Sequence, residues 1–323
     1  MAVFLGIDTS NYTTSVAAYD SESGEMLSEK KLLHVSDNAC GLRQSDAVFL
    51  HVKQLGEVAN RVLSKLNNPP IAIGFSIAPR DNEGSYMPCF LVGKMLGQTL
   101  ASAYKAKLYA FSHQCGHIAA ALYSINRLEM LDKEFLALHI SGGTTDLIKV
   151  VPDSDKIISC ECIGKSLDLK AGQAIDRVGV MLGLTFPCGP LLEELAEKSE
   201  KSFKLKPCIK GLDCALSGLQ NQAEKMYAQG KLPCDIAKYC IDFIGASIDG
   251  MCKNAALLYP KLPFVFAGGV MSNKKLSSML KKNYDGLFAE PKYSSDNAAG
   301  TAVLCKTAFE RNLKEYITEN EES

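Results

Sequence analysis

The sequence predicts an α/β protein in which one hairpin-led unit is used twice, giving two related domains with a cleft between them. Two observations carry this expectation. Strand-like and helix-like segments alternate along most of the chain, which indicates packed α/β layers. The chain also resembles itself. Residues 4–19 read FLGIDTSNYTTSVAAY and residues 135–150 read FLALHISGGTTDLIKV, and at an offset of 131 they share Phe, Leu, Ser, Thr and Thr. Each copy is an apolar β-prone run, a small polar turn and a second run of β-branched and apolar residues, the pattern of a strand–turn–strand hairpin. The length agrees, since 323 residues at roughly 150 per domain make two.

The other elements follow from periodicity. After the first hairpin, IAIGFSIA (71–78) is a short apolar strand. PCFLVGKMLGQTLASAY (88–104) carries apolar residues at helical spacing, KLYAFS (107–112) reads as a strand, and HQCGHIAAALYSI as a helix. Beyond the second hairpin, GQAIDRVGVML (172–182), PLLEELAEKS (190–199) and the stretch from Cys234 to Leu258 read as helices. PFVFAGG (263–269) is a buried strand ending in a glycine turn, and SNKKLSSMLKK is a helix capped by Ser272 or Asn273. SSDNAAGTAVLCKTAFERNL closes the chain as a helix before an acidic tail, ENEES.

Composition narrows the function classes. With 35 basic and 36 acidic residues there is no global field for a polyanion, so a nucleic acid would need a local patch. MAVFLGIDTS lacks the basic start of a signal peptide, and no apolar run approaches the ~20 residues that span a bilayer. A soluble cytoplasmic protein with no membrane partner is expected. The 12 cysteines are scattered and form no CxxC pair, so they read as small core residues in a reducing compartment.

Four segments carry chemistry. Ser141–Gly142–Gly143–Thr144–Thr145 follows a strand; its glycines admit a ligand to the backbone, and successive N–H groups form a nest for an anion. Asp8–Thr9–Ser10 holds the corresponding place in the first hairpin and offers a carboxylate and hydroxyls. Taken singly, either segment reads first as a plain tight turn. Gly268–Gly269 lets a flat base lie against the backbone beyond a strand end, with Asn273 able to bond a ribose or base, or simply to cap the next helix. His113 and His117, four apart on one helix face, suit a divalent metal if a carboxylate such as Asp296 joins them; otherwise they are a capping or surface pair. His34, His51 and His139 read as structural. KSEKSFKLKPCIK (198–210) holds five lysines, which suits either a solvated surface or contact with a phosphate backbone.

The order LGIDTS, HxxxH, SGG-T, GQAIDR…GLTFPCGP, LSGL, GGVMSN and SDNAA resembles the tRNA threonylcarbamoyladenosine transferases, the TsaD-like family formerly described as O-sialoglycoprotein endopeptidases. The resemblance runs from about residue 3 to residue 310. It implies the actin, Hsp70 and sugar-kinase fold, two duplicated α/β domains around a nucleotide cleft. The implied division is 1–110 with 293–315, then 111–292, with a polar tail at 316–323. By match, His113, His117 and Asp296 fall on the family's metal ligands, the metal being iron or zinc. Ile140, Ser141, Gly142, Gly143 and Thr144 fall on the loop that binds the activated substrate. Asp176, Gly189 and Asn273 fall on its remaining nucleotide-contacting positions, and the Gly268–Gly269 pair keeps the role read from the residues.

The resemblance implies transfer of a threonylcarbamoyl group from threonylcarbamoyl-adenylate to the exocyclic amine of an adenosine beside the tRNA anticodon, with AMP leaving. Asp8 or Asp176 is the candidate to orient a water or accept a proton. An adenylate or ATP-type nucleotide, tRNA docked on the lysine segment, and TsaB-like and TsaE-like proteins are the implied partners. An HxxxH lacking the glutamate of HExxH is not a protease motif. Several positions depart from the family pattern. ETSCDET is here DTSNYTT, SGGHTE is SGGTTD, the SGLK lysine is Gln220, and GPGLxGALLVG is expanded to APRDNEGSYMPCFLVG. Two further readings therefore stand beside the first: carbamoyl-type transfer to another acceptor, and a nucleotide-binding partner without turnover.

Overall fold

The computed structural model describes residues 2–10, 12–34, 42–290 and 297–317. The chain forms two compact units, Met1–Lys133 with Val151–Cys160 and Lys292–Ser323, and Glu134–Val150 with Glu161–Pro291.

The first unit opens with a meander, β1 (Val3–Ser10), β2 (Thr13–Asp20) and β3 (Met26–Leu32). Helix α1 (Gln44–Leu63), strand β4 (Pro70–Ala78), helix α2 (Phe90–Tyr104), strand β5 (Lys107–Ser112) and helix α3 (His113–Ser124) follow. The strands lie in the order β3-β2-β1-β4-β5, with β1, β4 and β5 parallel. Every residue of β1 is buried, because its two faces are both covered. Val3, Leu5 and Ile7 pack on Leu55, Val58 and Val92 of α1 and α2, so alternate side chains meet opposite layers. Helix α1 was not anticipated. Its apolar face (Ala47, Leu55, Val58, Ala59, Val62) recurs at helical spacing, between a polar start and a polar end.

The second unit begins with β6 (Phe135–Ile140) and takes most of the hairpin β7 (Thr145–Asp153) and β8 (Ile157–Lys165), whose tip, Val151–Cys160, belongs to the first unit; α4 (Ala171–Met181) and α5 (Gly189–Glu197) follow. A small ribbon, β9 (Cys208–Lys210) and β10 (Asp213–Ala215), leads into α6 (Ser217–Ala228) and the long α7 (Pro233–Leu258). Strand β11 (Phe264–Ala267), helix α8 (Lys274–Asn283) and strand β12 (Gly286–Phe288) complete it. Pro233 starts α7, where its missing N–H is harmless. The Asn273 side chain accepts from Leu276 N and is the cap of α8, which decides between the two caps expected.

This sheet runs β12-β11-β6-β7-β8. It repeats the first topology: a meander whose leading strand is flanked by two further parallel strands. The repeat holds in register. Phe4 faces Tyr19 and Phe135 faces Val150, while Thr9 faces Thr14 and Ile140 faces Thr145. Each pair is related to its counterpart by the offset of 131 found by self-comparison.

The chain's last helix, α9 (Asn297–Glu310), lies in the first unit and packs on α3. That packing is why α3 groups with the first unit, past the boundary expected at residue 110. The expected start of α9 at residues 294–296, Asp296 included, lies outside the described residues. Among the described residues, no helix is long and apolar enough to cross a membrane.

Candidate active site

In the first unit, polar groups gather at the carboxyl ends of the parallel strands, where α/β folds place ligands. Asp8 lies near the end of β1 and is fully buried. Its Oδ1 accepts from Ser10 N (3.0 Å), and its Oδ2 accepts from Ser76 Oγ of β4 (2.5 Å). Oδ2 also lies 2.8 Å from Nδ1 of His113, the first residue after β5. Burial pushes the Asp8 pKa up. The electrostatic pull of the neighbouring His113 ring and the hydrogen bonds from His113, Ser76 and Ser10 outweigh it, and the net shift is downward. An ionised Asp8 accepts from Nδ1–H, which directs the Nε2 lone pair of His113 away from the carboxylate. Nε2 lies 3.4 Å from Asn297 Nδ2 at the start of α9. The His117 ring is 4.6 Å from that of His113, edge to face.

This donor set suits a divalent metal. Two half-buried imidazoles stand one helical turn apart, and a buried carboxylate orients the first, the arrangement that fixes tautomer and ring angle in histidine metal sites. The third residue expected, Asp296, lies outside the described residues.

Sequence reasoning placed Asp8–Thr9–Ser10 in a turn equivalent to the glycine turn. The structure corrects this, because all three are β1 residues and the ladder continues to Ser10 opposite Thr13. The Thr9 hydroxyl is also committed elsewhere: it donates to Cys89 O (2.9 Å) and accepts from Gly93 N (3.1 Å), which ties the start of α2 to β1. Ser76 and Asn297 were missed. Their only sequence signals are a serine in the apolar run IAIGFSIA and an asparagine following Asp296.

His51 of α1 is fully buried beside this cluster, with Nδ1 2.7 Å from the Thr14 hydroxyl, which also accepts from Gln54 Nε2 (2.7 Å). Burial lowers its pKa below 6.5, against upward pulls from Ser10 and Asp8. The folded state therefore holds His51 neutral, while the unfolded chain takes up a proton as pH falls through 6.5. Stability contributed by the neutral ring is lost on that descent. The melting temperature is expected to fall between neutral and mildly acidic pH, with a shallower slope in His51→Gln. Equal slopes would remove His51 as the cause.

In the second unit, residues nominated from distant stretches line one cavity of about 530 Å³. Gly142, Asp176, Gly189, Gly269 and Asn273 all contribute, together with apolar walls from Ile175, Phe186, Ile241 and Val270. The loop Ser141–Thr144 closes with Ser141 N donating to Thr144 O (2.8 Å), and Gly172 N at the start of α4 donates to Ser141 O (3.2 Å). The N–H groups of Gly142, Gly143 and Thr144 donate to no backbone carbonyl among the described residues. Ile140 is buried at the end of β6. Gly268 sits against it with φ at +97°, and a Cβ there would lie 2.2 Å from Ile140 O, so only glycine fits.

Asp176 accepts from Cys188 N (2.9 Å). Burial raises its pKa, and that hydrogen bond only partly opposes the rise. The Asn273 oxygen is spent on the α8 cap (3.0 Å from Leu276 N), so its amide NH₂ is the group left for a ligand. Gln220, where the resemblance has lysine, accepts from Arg177 (3.0 Å). Of the lysine segment, Lys201, Lys204 and Lys206 join Lys231, Phe203 and Tyr239 around a second cavity of about 840 Å³. Lys201 is paired with Asp235.

The model of the tRNA N6-adenosine threonylcarbamoyltransferase family, TsaD, matches residues 39–303. The chain belongs to this family. Its activity class is that of an acyltransferase acting on tRNA. A tRNA N6-adenosine threonylcarbamoyltransferase of Nanoarchaeum equitans (strain Kin4-M) is 29% identical over 305 residues, covering 93% of this chain and 92% of that protein. Among solved structures, component A of the (R)-2-hydroxyglutaryl-CoA dehydratase of Acidaminococcus fermentans superposes with a TM-score of 0.57 at 15% identity, covering 96% of this chain and all of the other. Full-length HypF in its phosphate- and nucleotide-bound form superposes with a TM-score of 0.58 at 13% identity, covering 96% of this chain and 56% of HypF. At these identities the likeness shows the fold, which is the duplicated actin/Hsp70/sugar-kinase type.

Proposed function

We propose that this member of the TsaD family transfers the threonylcarbamoyl group of threonylcarbamoyl-adenylate to the exocyclic amine of an adenosine beside the tRNA anticodon. The observation that carries the reading is the convergence in the second unit. Residues from four separated stretches, singled out by sequence pattern or by the family resemblance, line a single cavity of about 530 Å³, within the usual range for a small-molecule site. The adenine ring lies against Gly269 and the apolar walls, and the adenylate phosphate against the N–H groups of Gly142, Gly143 and Thr144 at the start of α4. Asp176, its basicity raised by burial, accepts a ribose hydroxyl or the proton released by the attacking amine. HypF in its nucleotide-bound form, a neighbour in fold, supports the nucleotide assignment.

In the first unit, His113 and His117 would hold a divalent ion, iron or zinc, with Asp296 as the third ligand. Such an ion supplies Lewis acidity to carbamoyl or phosphate oxygens. The role of Asp8 is to hold the tautomer of His113. TsaB-like and TsaE-like proteins are the proposed partners, and the compartment is the cytoplasm.

Mass spectrometry of tRNA nucleosides tests the reading, after incubation of the protein and its partners with tRNA, threonine, bicarbonate and ATP. Threonylcarbamoyladenosine is expected from the unsubstituted protein and is lost in Asp176→Ala. Nucleotide binding without modified nucleoside would sink the transferase reading in favour of a partner without turnover.

The lysine-lined cavity is the proposed tRNA contact. The triple substitution Lys204→Glu/Lys206→Glu/Lys231→Glu is expected to weaken tRNA binding and to flatten its salt dependence. Each lost phosphate contact removes about 0.7–0.9 from the slope of log K against log salt. Filter binding across a potassium chloride series reads both quantities. An unchanged slope places the tRNA elsewhere.

A further inference from the structure

The expanded loop APRDNEGSYMPC brings Asp81 to two cysteines far away in sequence. Cys115 of α3 and Cys160 of β8 are both buried, and their sulfurs lie 3.6 Å apart. The Cys115 thiol is 3.1 Å from Asp81 Oδ2, which also accepts from Cys160 N (3.4 Å). The three donor atoms lie within 4.8 Å of one another, and all three residues belong to the first unit.

We propose that Asp81, Cys115 and Cys160 form a binding site for a thiophilic divalent cation of the zinc class, distinct from the HxxxH pair. The two spacings that involve Cys115 are close to those of a tetrahedral ion. Two sulfurs at ~2.3 Å from zinc in tetrahedral geometry stand about 3.8 Å apart, and a sulfur and a carboxylate oxygen about 3.6 Å apart. The two sulfurs need part by a few tenths of an ångström, and Cys115 and the Asp81 carboxylate by about half an ångström. A disulfide would instead require them to close to ~2.05 Å and would leave Asp81 without a purpose in the cluster. The donor chemistry selects the ion, because two thiolates favour zinc over magnesium or calcium. A cavity of about 240 Å³ borders Asp81 and Cys115 and admits a water as fourth ligand. Binding releases both thiol protons to solvent, so the ion, two thiolates and one carboxylate carry a net charge of −1.

The site ties three segments together: the expanded loop, the β7–β8 hairpin and α3. Because α3 also carries His113 and His117, an ion here braces the helix that presents the histidine pair.

The test uses full-length protein, purified under reducing conditions and stripped with a chelator, with cobalt as the probe. The HxxxH pair and its carboxylate offer only nitrogen and oxygen, so a sulfur-to-cobalt charge-transfer band cannot come from that pair, and Cys160→Ser separates the new site from the chain's other cysteines. The band is expected in the unsubstituted protein and in His113→Ala, and is expected to be lost in Cys160→Ser and displaced by zinc. X-ray absorption at the zinc edge on unsubstituted protein carrying two equivalents, enough for this site and the HxxxH pair, is expected to show sulfur neighbours at ~2.3 Å, a reading that needs no variant to fold. A zinc shell free of sulfur, a charge-transfer band that persists in Cys160→Ser, or a Cys115–Cys160 disulfide formed in place of metal uptake would each overturn the proposal.

Discussion

Asp8→Asn is expected to lower metal affinity and threonylcarbamoyl transfer by about 10- to 100-fold, the usual effect of removing a carboxylate that orients a histidine ligand. The change is isosteric, so the reason is hydrogen-bond polarity. Asp8 accepts from three donors, Ser10 N, Ser76 Oγ and His113 Nδ1. An asparagine keeps one acceptor oxygen for Ser10 N and turns an NH₂ toward Ser76 and His113. The serine hydroxyl can rotate to accept from it. The imidazole can accept only by shifting its proton to Nε2, and that buries the lone pair a metal needs. The predicted signature is therefore specific: metal content and transfer fall together, while nucleotide binding in the second unit is untouched. Metal stoichiometry and the rate of nucleoside modification, measured on one preparation, check it. Transfer at the unsubstituted rate would remove Asp8 from the chemistry.

The parts of this structure that were legible share one property: they are written in short-range pattern. The two hairpins could be aligned at an offset of 131 because a strand's period of two and its turn residues are local, and the ladders turn out equivalent in register. Members of the cavity in the second unit were legible for a related reason. Gly142, Gly269 and the capping Asn273 sit at element ends, where a backbone role shows in the sequence; Asp176, inside α4, and Gly189 were legible only through the match to the family. What stayed hidden depends on partners far along the chain. Ser76 is 68 positions from the carboxylate it serves, and Cys115 is 45 from Cys160. Scattered cysteines with no CxxC spacing gave no reason to pair those two. Only the expanded loop around Asp81, read as a departure from the family, marked the place. The grouping of α3 with the first unit was hidden in the same way, since it depends on α9, which arrives from the far end of the chain.

That contact supports the second large effect. Helices α3 and α9 meet backbone to backbone at Gly116 and Gly300, and a Cβ on Gly300 would lie 1.8 Å from Gly116 O and 2.7 Å from Ala120 N. Neither atom belongs to a side chain that can rotate away, so Gly300→Ala forces one helix to slide or tilt. The expected cost is about 3 kcal/mol, the upper part of the range for overpacking. A glycine of α1 supplies the control. A Cβ on Gly56 would meet nothing within 4 Å, so Gly56→Ala is expected to stabilise by about 0.5–1 kcal/mol through helix propensity alone. Urea unfolding of the two variants should move in opposite directions. The effect on function follows from what the two helices carry. His113 and His117 ride on α3, and Asn297, 3.4 Å from His113 Nε2, opens α9. A shift of about 1 Å in such a constellation costs on the order of 100-fold in rate, so at temperatures where Gly300→Ala stays folded its transfer activity is still expected to fall. Normal activity in the folded variant would mean that the close packing of α3 on α9 serves stability alone.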